Sequence, residues 1–131
     1  MNKIKSEHAI QSEIMLALSA HGCVVARTNV GTVRTEDGRL FNAGPPKGWP
    51  DVTAIRRADG RAVLVECKNA RGRLREDQKR FAAMIANTEI IYGVCRSADD
   101  ALRLLAEHPV EEPEDDEAMR EALGFSPWDV E

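Results

Sequence analysis

Residues 48 to 68 read Gly48-Trp49-Pro50-Asp51-Val52-Thr53-Ala54-Ile55-Arg56-Arg57-Ala58-Asp59-Gly60-Arg61-Ala62-Val63-Leu64-Val65-Glu66-Cys67-Lys68. Two short apolar runs flank an Asp59-Gly60 turn, a strong local signal for a β-hairpin. Strand side chains alternate, so Val63, Val65 and Cys67 face one way and Leu64, Glu66 and Lys68 the other. Pairing across the turn sets Asp51, at the start of the first strand, opposite the end of the second. Two carboxylates and one ammonium then converge at one end of a sheet.

Upstream, Ser6 suits an N-cap and Glu7 the first turn of a helix. Ile10, Ile14, Ala17, Leu18 and His21 recur at helical spacing, and Gly22 reads as the stop. Glu13 borders this stripe and is expected to point toward the body, where an uncompensated charge is expensive. It therefore calls for a metal, a cation or a hydrogen-bond network. Cys23 to Ala26 is a short strand, and residues 32–35 and 39–42 form a small hairpin on Asp37-Gly38. Residues 43–50 are too rich in Gly and Pro for a helix or central strand, and make a stiff loop that aims Asp51.

Downstream, a helix is expected over about residues 76–87, with Leu74, Gln78, Phe81 and Ile85 on one face. Gln78 is thus a second polar residue on an apolar face. Residues 89–95 are a near-continuous apolar run, suiting a strand covered on both sides. Ser97 caps a last helix that buries Ala101, Leu102, Leu104 and Leu105. Pro109 and Pro113 close the domain, giving a body over residues 1–108 and an acidic tail over 109–131, within which 114–123 has the makings of a short helix. The order helix, strand hairpins, helix, strand, helix predicts an α/β fold with a mixed central β-sheet flanked by helices.

With 131 residues, 43% of them hydrophobic, the chain suits one domain of ordinary size, and no apolar run is long enough to span a bilayer. Its first residues lack the apolar core of a signal peptide, so a cytoplasmic protein is expected. Cys23, Cys67 and Cys95 lie in apolar runs without metal-ligand spacing and read as reduced core cysteines. The net charge of −4 conceals a segregation: residues 107–131 hold ten acids against Arg120, while the remaining 17 bases and 12 acids give residues 1–106 a charge of +5. A basic body suits a phosphate backbone.

Pro50-Asp51 followed by Glu66-Cys67-Lys68 resembles the PD-(D/E)xK nuclease superfamily. The Gly48-Trp49-Pro50-Asp51 turn, an upstream helical Glu and a downstream helical Gln narrow the likeness to its VRR-NUC group, over roughly residues 6 to 106. Such a restriction-endonuclease-like domain hydrolyses phosphodiesters, where an anion must be attacked and the leaving alkoxide must carry new charge. A divalent cation eases both, and Mg²⁺, with Mn²⁺ able to substitute, takes hard oxygen ligands. Asp51, Glu66 and the Cys67 backbone carbonyl fit that ligand role, and Lys68 fits the orientation and activation of the nucleophile. The resemblance implies the same roles. It also implies that Glu13 completes the metal site through a second ion or a water, and that Gln78 lies beside Lys68 and the scissile phosphate.

Arg71, Arg73, Arg75, Lys79 and Arg80 are placed either to contact DNA phosphates or to form a solvated face. Asn29 and Gly48 either let DNA approach closely or serve turns. Trp49 reads as packing its loop, and His8, His21 and His108 match no histidine-based nuclease motif. The resemblance further implies a homodimer acting on branched DNA such as a four-way (Holliday) junction. Rival readings are a nicking, flap or restriction-like nuclease, a non-catalytic DNA-binding module of the same fold, and a functional acidic tail that mimics DNA or binds a partner.

Overall fold

In a computed structural model, residues 4–29, 32–111 and Gly124 are described. Ser6 caps α1 (Glu7–Ala20), its hydroxyl accepting from the Ala9 N–H at 3.1 Å, and Gly22 at φ +88° ends it. Then follow β1 (Cys23–Arg27), the hairpin of β2 (Thr32–Arg34) and β3 (Leu40–Asn42), the hairpin of β4 (Val52–Arg56) and β5 (Ala62–Cys67), α2 (Glu76–Ile85), β6 (Ile91–Cys95) and α3 (Ala98–Ala106). This is the α/β order expected. The helix expected over 114–123 lies outside the described residues.

The main sheet runs β1-β4-β5-β6. β1, β4 and β5 are antiparallel, whereas β6 lies parallel to β5 after the crossover through α2. The sheet is therefore mixed. Ile10, Ile14 and Leu18 of α1 and Ala101 and Leu104 of α3 pack with Val52, Ala54, Val63, Val65, Cys67, Ile91 and Cys95 into one buried cluster. Alternation sends Thr53, Leu64 and Glu66 to the other face, which α2 covers through Gln78 and Phe81.

α2 is shorter than expected, and β6 begins at Ile91 rather than residue 89. Thr88 explains both: its N–H and hydroxyl close on the Ile85 carbonyl at 3.1 and 2.7 Å, and its hydroxyl accepts from the Ile90 N–H at 3.2 Å. A turn built from a side chain thus replaces helix and strand ends. His21, counted on the buried stripe, is exposed, with Nδ1 2.8 Å from the Ala17 carbonyl. All three cysteines are buried and free, as expected. Among the described residues no helix is long and apolar enough to cross a membrane.

The far end of the β4–β5 hairpin is fastened by Arg56, which is 5% exposed. Its guanidinium grips Asp59 through two bonds of 3.1 and 2.6 Å and donates a third, of 2.6 Å, to the His108 carbonyl. A forked, charge-assisted pair of this kind repays burial that a single long bond would not. Arg56 so close beside it draws the Asp59 carboxyl down to a pKa of about 2.

Gly48 is buried, with φ +92°. A β-carbon there would stand 2.5 Å from the Asp77 carbonyl oxygen, so this glycine lets the loop before Asp51 lie against the first turn of α2. Gly48 thus serves a turn that meets a helix. Gly48→Ala should therefore cost about 2 kcal/mol or more, strain and clash together. Gly38→Ala has similar strain but open space around it. It should cost only about 1 kcal/mol. Urea unfolding of both variants checks the difference.

Candidate active site

The register Val52↔Val65 places Asp51 opposite Glu66, one residue beyond the last β4–β5 pair. There the Asp51 side chain takes over from the ladder: its Oδ2 accepts the Cys67 N–H at 2.8 Å. A strand residue sends its N–H and C=O to the same edge, so the Cys67 carbonyl also faces Asp51. The backbone of Asp51 is held as firmly, its carbonyl accepting the Thr28 N–H at 2.7 Å and the Gln11 Nε2 at 3.3 Å. Thr28 Oγ1 donates to the Pro50 carbonyl at 2.7 Å. Trp49, as expected, packs its loop: Nε1 donates to Thr53 Oγ1 at 2.8 Å and the ring lies 5.1 Å from that of Phe81.

Glu66 is 1% exposed. Its Oε1 accepts from Gln78 Nε2 at 2.9 Å, while Oε2 is buried without a hydrogen-bond partner among the described residues. Gln78 uses both ends of its amide, since its Oε1 also accepts the Arg75 N–H at 2.8 Å and so caps α2. Burial raises the Glu66 pKa far above the usual carboxylate range, the neighbouring Asp51 carboxylate raises it further, and Lys68 and Arg75 oppose both. Two acids crowded this way favour a shared proton or an added cation.

Lys68 is 5% exposed, and its N–H donates to the Cys95 carbonyl at 3.1 Å. Gly72 lies against it: a β-carbon on Gly72 would come 3.1 Å from Lys68 Cδ and 2.7 Å from Glu7 Oε1. Glu7 is accordingly the acid that α1 brings beside Lys68.

Glu13 is not. Its side chain is 42% exposed and pairs at 2.8 Å with Lys5 on the surface. The helix geometry gives the reason. Residues 7, 10, 11, 14 and 18 form the series that repeats along one face, whereas residue 13 lies about 200° round from residue 11. Counting from Ile10 and Ala17 misplaced the centre of the stripe by part of a turn. The same series flags Glu7, expected only as a first-turn acid, and the buried Gln11, both polar and both in register with the apolar positions.

The remaining residues divide. Arg71 and Arg73 are exposed on the segment after Lys68 and make no ion pair among the described residues, whereas Arg75 pairs with Asp77 at 3.3 Å and Lys79 with Glu76 at 3.3 Å. Asn29 is exposed, with its Nδ2 donating to Gln11 Oε1 at 3.3 Å. Among the described residues no three Asp, Glu, His or Cys side chains gather closely enough to hold a metal unaided. The donor set offered is two carboxylates and a carbonyl, including the orphaned Glu66 Oε2. It fits a hard cation that keeps waters of its own.

A family model described as the VRR-NUC domain matches residues 5–99. No curated protein and no solved structure matches the chain.

The buried acid pair predicts an unusual pH dependence for the metal-free protein. Glu66 keeps a proton in the folded state that it gives up at ordinary carboxylate pH once unfolded, so stability is full at acid pH and falls as pH rises toward the folded pKa. Thermal melts in chelator should show Tm falling by several degrees from pH 5 through the alkaline side of neutrality. Glu66→Gln, which cannot titrate, should flatten the curve. An unaltered slope in that variant would place the titrating group elsewhere.

Proposed function

This chain belongs to the VRR-NUC family of nucleases, and on that premise we propose that it is a metal-dependent, structure-selective endonuclease that hydrolyses phosphodiesters in branched DNA. Carrying the reading is one observation: Asp51 and Glu66 stand opposite each other on neighbouring strands, and Glu66 Oε2 is left buried without a partner among the described residues. So costly an arrangement suits an ion more than it suits a fold.

Asp51, Glu66 and the Cys67 carbonyl would hold Mg²⁺, or Mn²⁺ in its place. When bound, that ion supplies positive charge for the scissile phosphate and the leaving oxygen, and makes water a stronger acid. Gln78 donates to Glu66 Oε1 and so fixes the direction of the other oxygen. Lys68, its stem buried and backed by Gly72, brings a positive charge to the rim, where it orients the attacking water and shields the phosphate's charge. Glu7, whose Oε1 borders Gly72 together with the Lys68 stem, is a candidate to take a proton from the water. Exposed Arg71 and Arg73 are free to grip flanking phosphates. In a homodimer the two-fold axis would present two such sites to the pseudo-symmetric arms of a four-way junction.

The test uses variants that keep volume: Asp51→Asn, Glu66→Gln and Lys68→Met. Each should lower cleavage of a synthetic four-way junction in Mg²⁺ by about 10²-fold or more. Each should also keep Tm in chelator at or above that of the parent, because Asp51→Asn and Lys68→Met remove a charge from the site and Glu66→Gln removes a carboxyl whose ionisation opposes folding. Glu13→Ala, which breaks only an exposed ion pair, should cut within about twofold of the parent. Parental cleavage in the first three variants would overturn the assignment. Linear duplex and flapped DNA in the same assay report whether branched DNA is preferred, and light scattering reports the dimer.

A further inference from the structure

β2 and β3 pair only with each other, apart from the main sheet. Their hairpin leaves at the end of β1 and returns at Asp51. Both of its feet are therefore anchored in the candidate active site, one through Thr28 and Asn29, the other through Trp49 and Pro50. A two-stranded ribbon has no core of its own, and here it displays apolar side chains to solvent: Leu40 is 61% exposed and Phe41 49%. As neighbours on one strand they face opposite sides of the ribbon. Neither belongs to the buried core cluster.

Cations flank them. Arg34 is the register partner of Leu40, Arg39 precedes it, and Arg27 and Lys47 stand on the two approaches. The ribbon's own acids are Glu36 and Asp37 at the turn, and Asp37 is already engaged by Arg39 at 2.9 Å. A thin projection that pairs exposed apolar side chains with arginines, and is rooted beside a phosphodiester-cutting site, is complementary to DNA whose bases are open to contact. Arginines meet the phosphates, and the aromatic ring replaces a missing stacking neighbour.

We propose that the β2–β3 hairpin is a DNA wedge, with Phe41 stacking on the base pair left open at a branch point and Leu40 on the ribbon's other side. This rests on the nuclease reading and deepens it by giving structure selectivity a physical source. In linear duplex every base pair is stacked on both sides, so insertion must first separate two of them. At a branch one face is already bare, and the wedge gains a contact without that cost.

The experiment places 2-aminopurine beside the branch point of a four-way junction, and at the same sequence in linear duplex, with Ca²⁺ replacing Mg²⁺ during the binding measurements. Parental protein should raise the fluorescence of the junction probe and leave the linear probe unchanged. Phe41→Ala should abolish the rise and weaken junction binding about tenfold, with linear-duplex affinity within about twofold of parent and an unchanged Tm. No rise with the parent, or a full rise with Phe41→Ala, overturns the wedge. Fluorescence that behaves as expected in a protein that cuts no DNA in Mg²⁺ or Mn²⁺ would sink the nuclease reading and uphold the wedge. Sedimentation supplies the remaining arm: if Phe41→Ala turns a dimer into monomers, this face joins two copies of the chain and the wedge is wrong.

Discussion

One hydrogen bond, from the Cys67 N–H to Asp51 Oδ2, sets the geometry of everything near the site. It sits where the next rung of the β4–β5 ladder would fall, and it substitutes a carboxylate for a backbone carbonyl. Asp51 is thereby drawn across the strand gap until it meets Glu66, its cross-strand neighbour. A sheet that simply ended at Val52 would leave the two acids free to swing apart into water. Here Asp51 is tied to the strand, and its carboxylate adds to the cost of ionising Glu66.

Three segments far apart in the chain hold that strained pair. The loop before Asp51 is locked against α2 by the close approach of Gly48 to Asp77 and by the packing of Trp49 on Phe81. α2 returns the constraint through Gln78, whose amide caps the helix with one end and holds Glu66 with the other. α1 adds Gln11, which ties the Asp51 carbonyl to Asn29. Each of these polar groups is satisfied on at least one side, which lets the sheet carry a buried acid pair whose own electrostatics oppose folding at neutral pH.

Much of this was legible from local pattern. The Asp59-Gly60 turn and the alternation after it placed Asp51 across from Glu66, because a hairpin turn fixes register and register fixes neighbours. Gln78 stood out as an amide among Leu74, Phe81 and Ile85 on one helical face. What failed was finer than the pattern. Glu13 and Glu7 both lie near the stripe of α1, and only the position of the stripe's centre separates them; counting Ala17 in place of Gln11 shifted that centre the wrong way. The contact of Gly48 with Asp77 and the grip of Arg56 on the His108 carbonyl join residues distant in the chain, and no local spacing announces them.

Local rules are broken here in one place above all. A strand that reads as pure core, Val63-Leu64-Val65, runs without interruption into a buried Glu66 and a nearly buried Lys68. Had stability alone shaped that strand, an apolar residue at position 66 would remove the desolvation cost and the acidic neighbour of Asp51. The core offers no counter-advantage: Glu66 Oε2 bonds to nothing among the described residues, and the nearest cation, Lys68, opposes its protonation without forming an ion pair with it. An acid retained against the interest of its own fold, at the end of a sheet and beside an ammonium, has its explanation in what it binds.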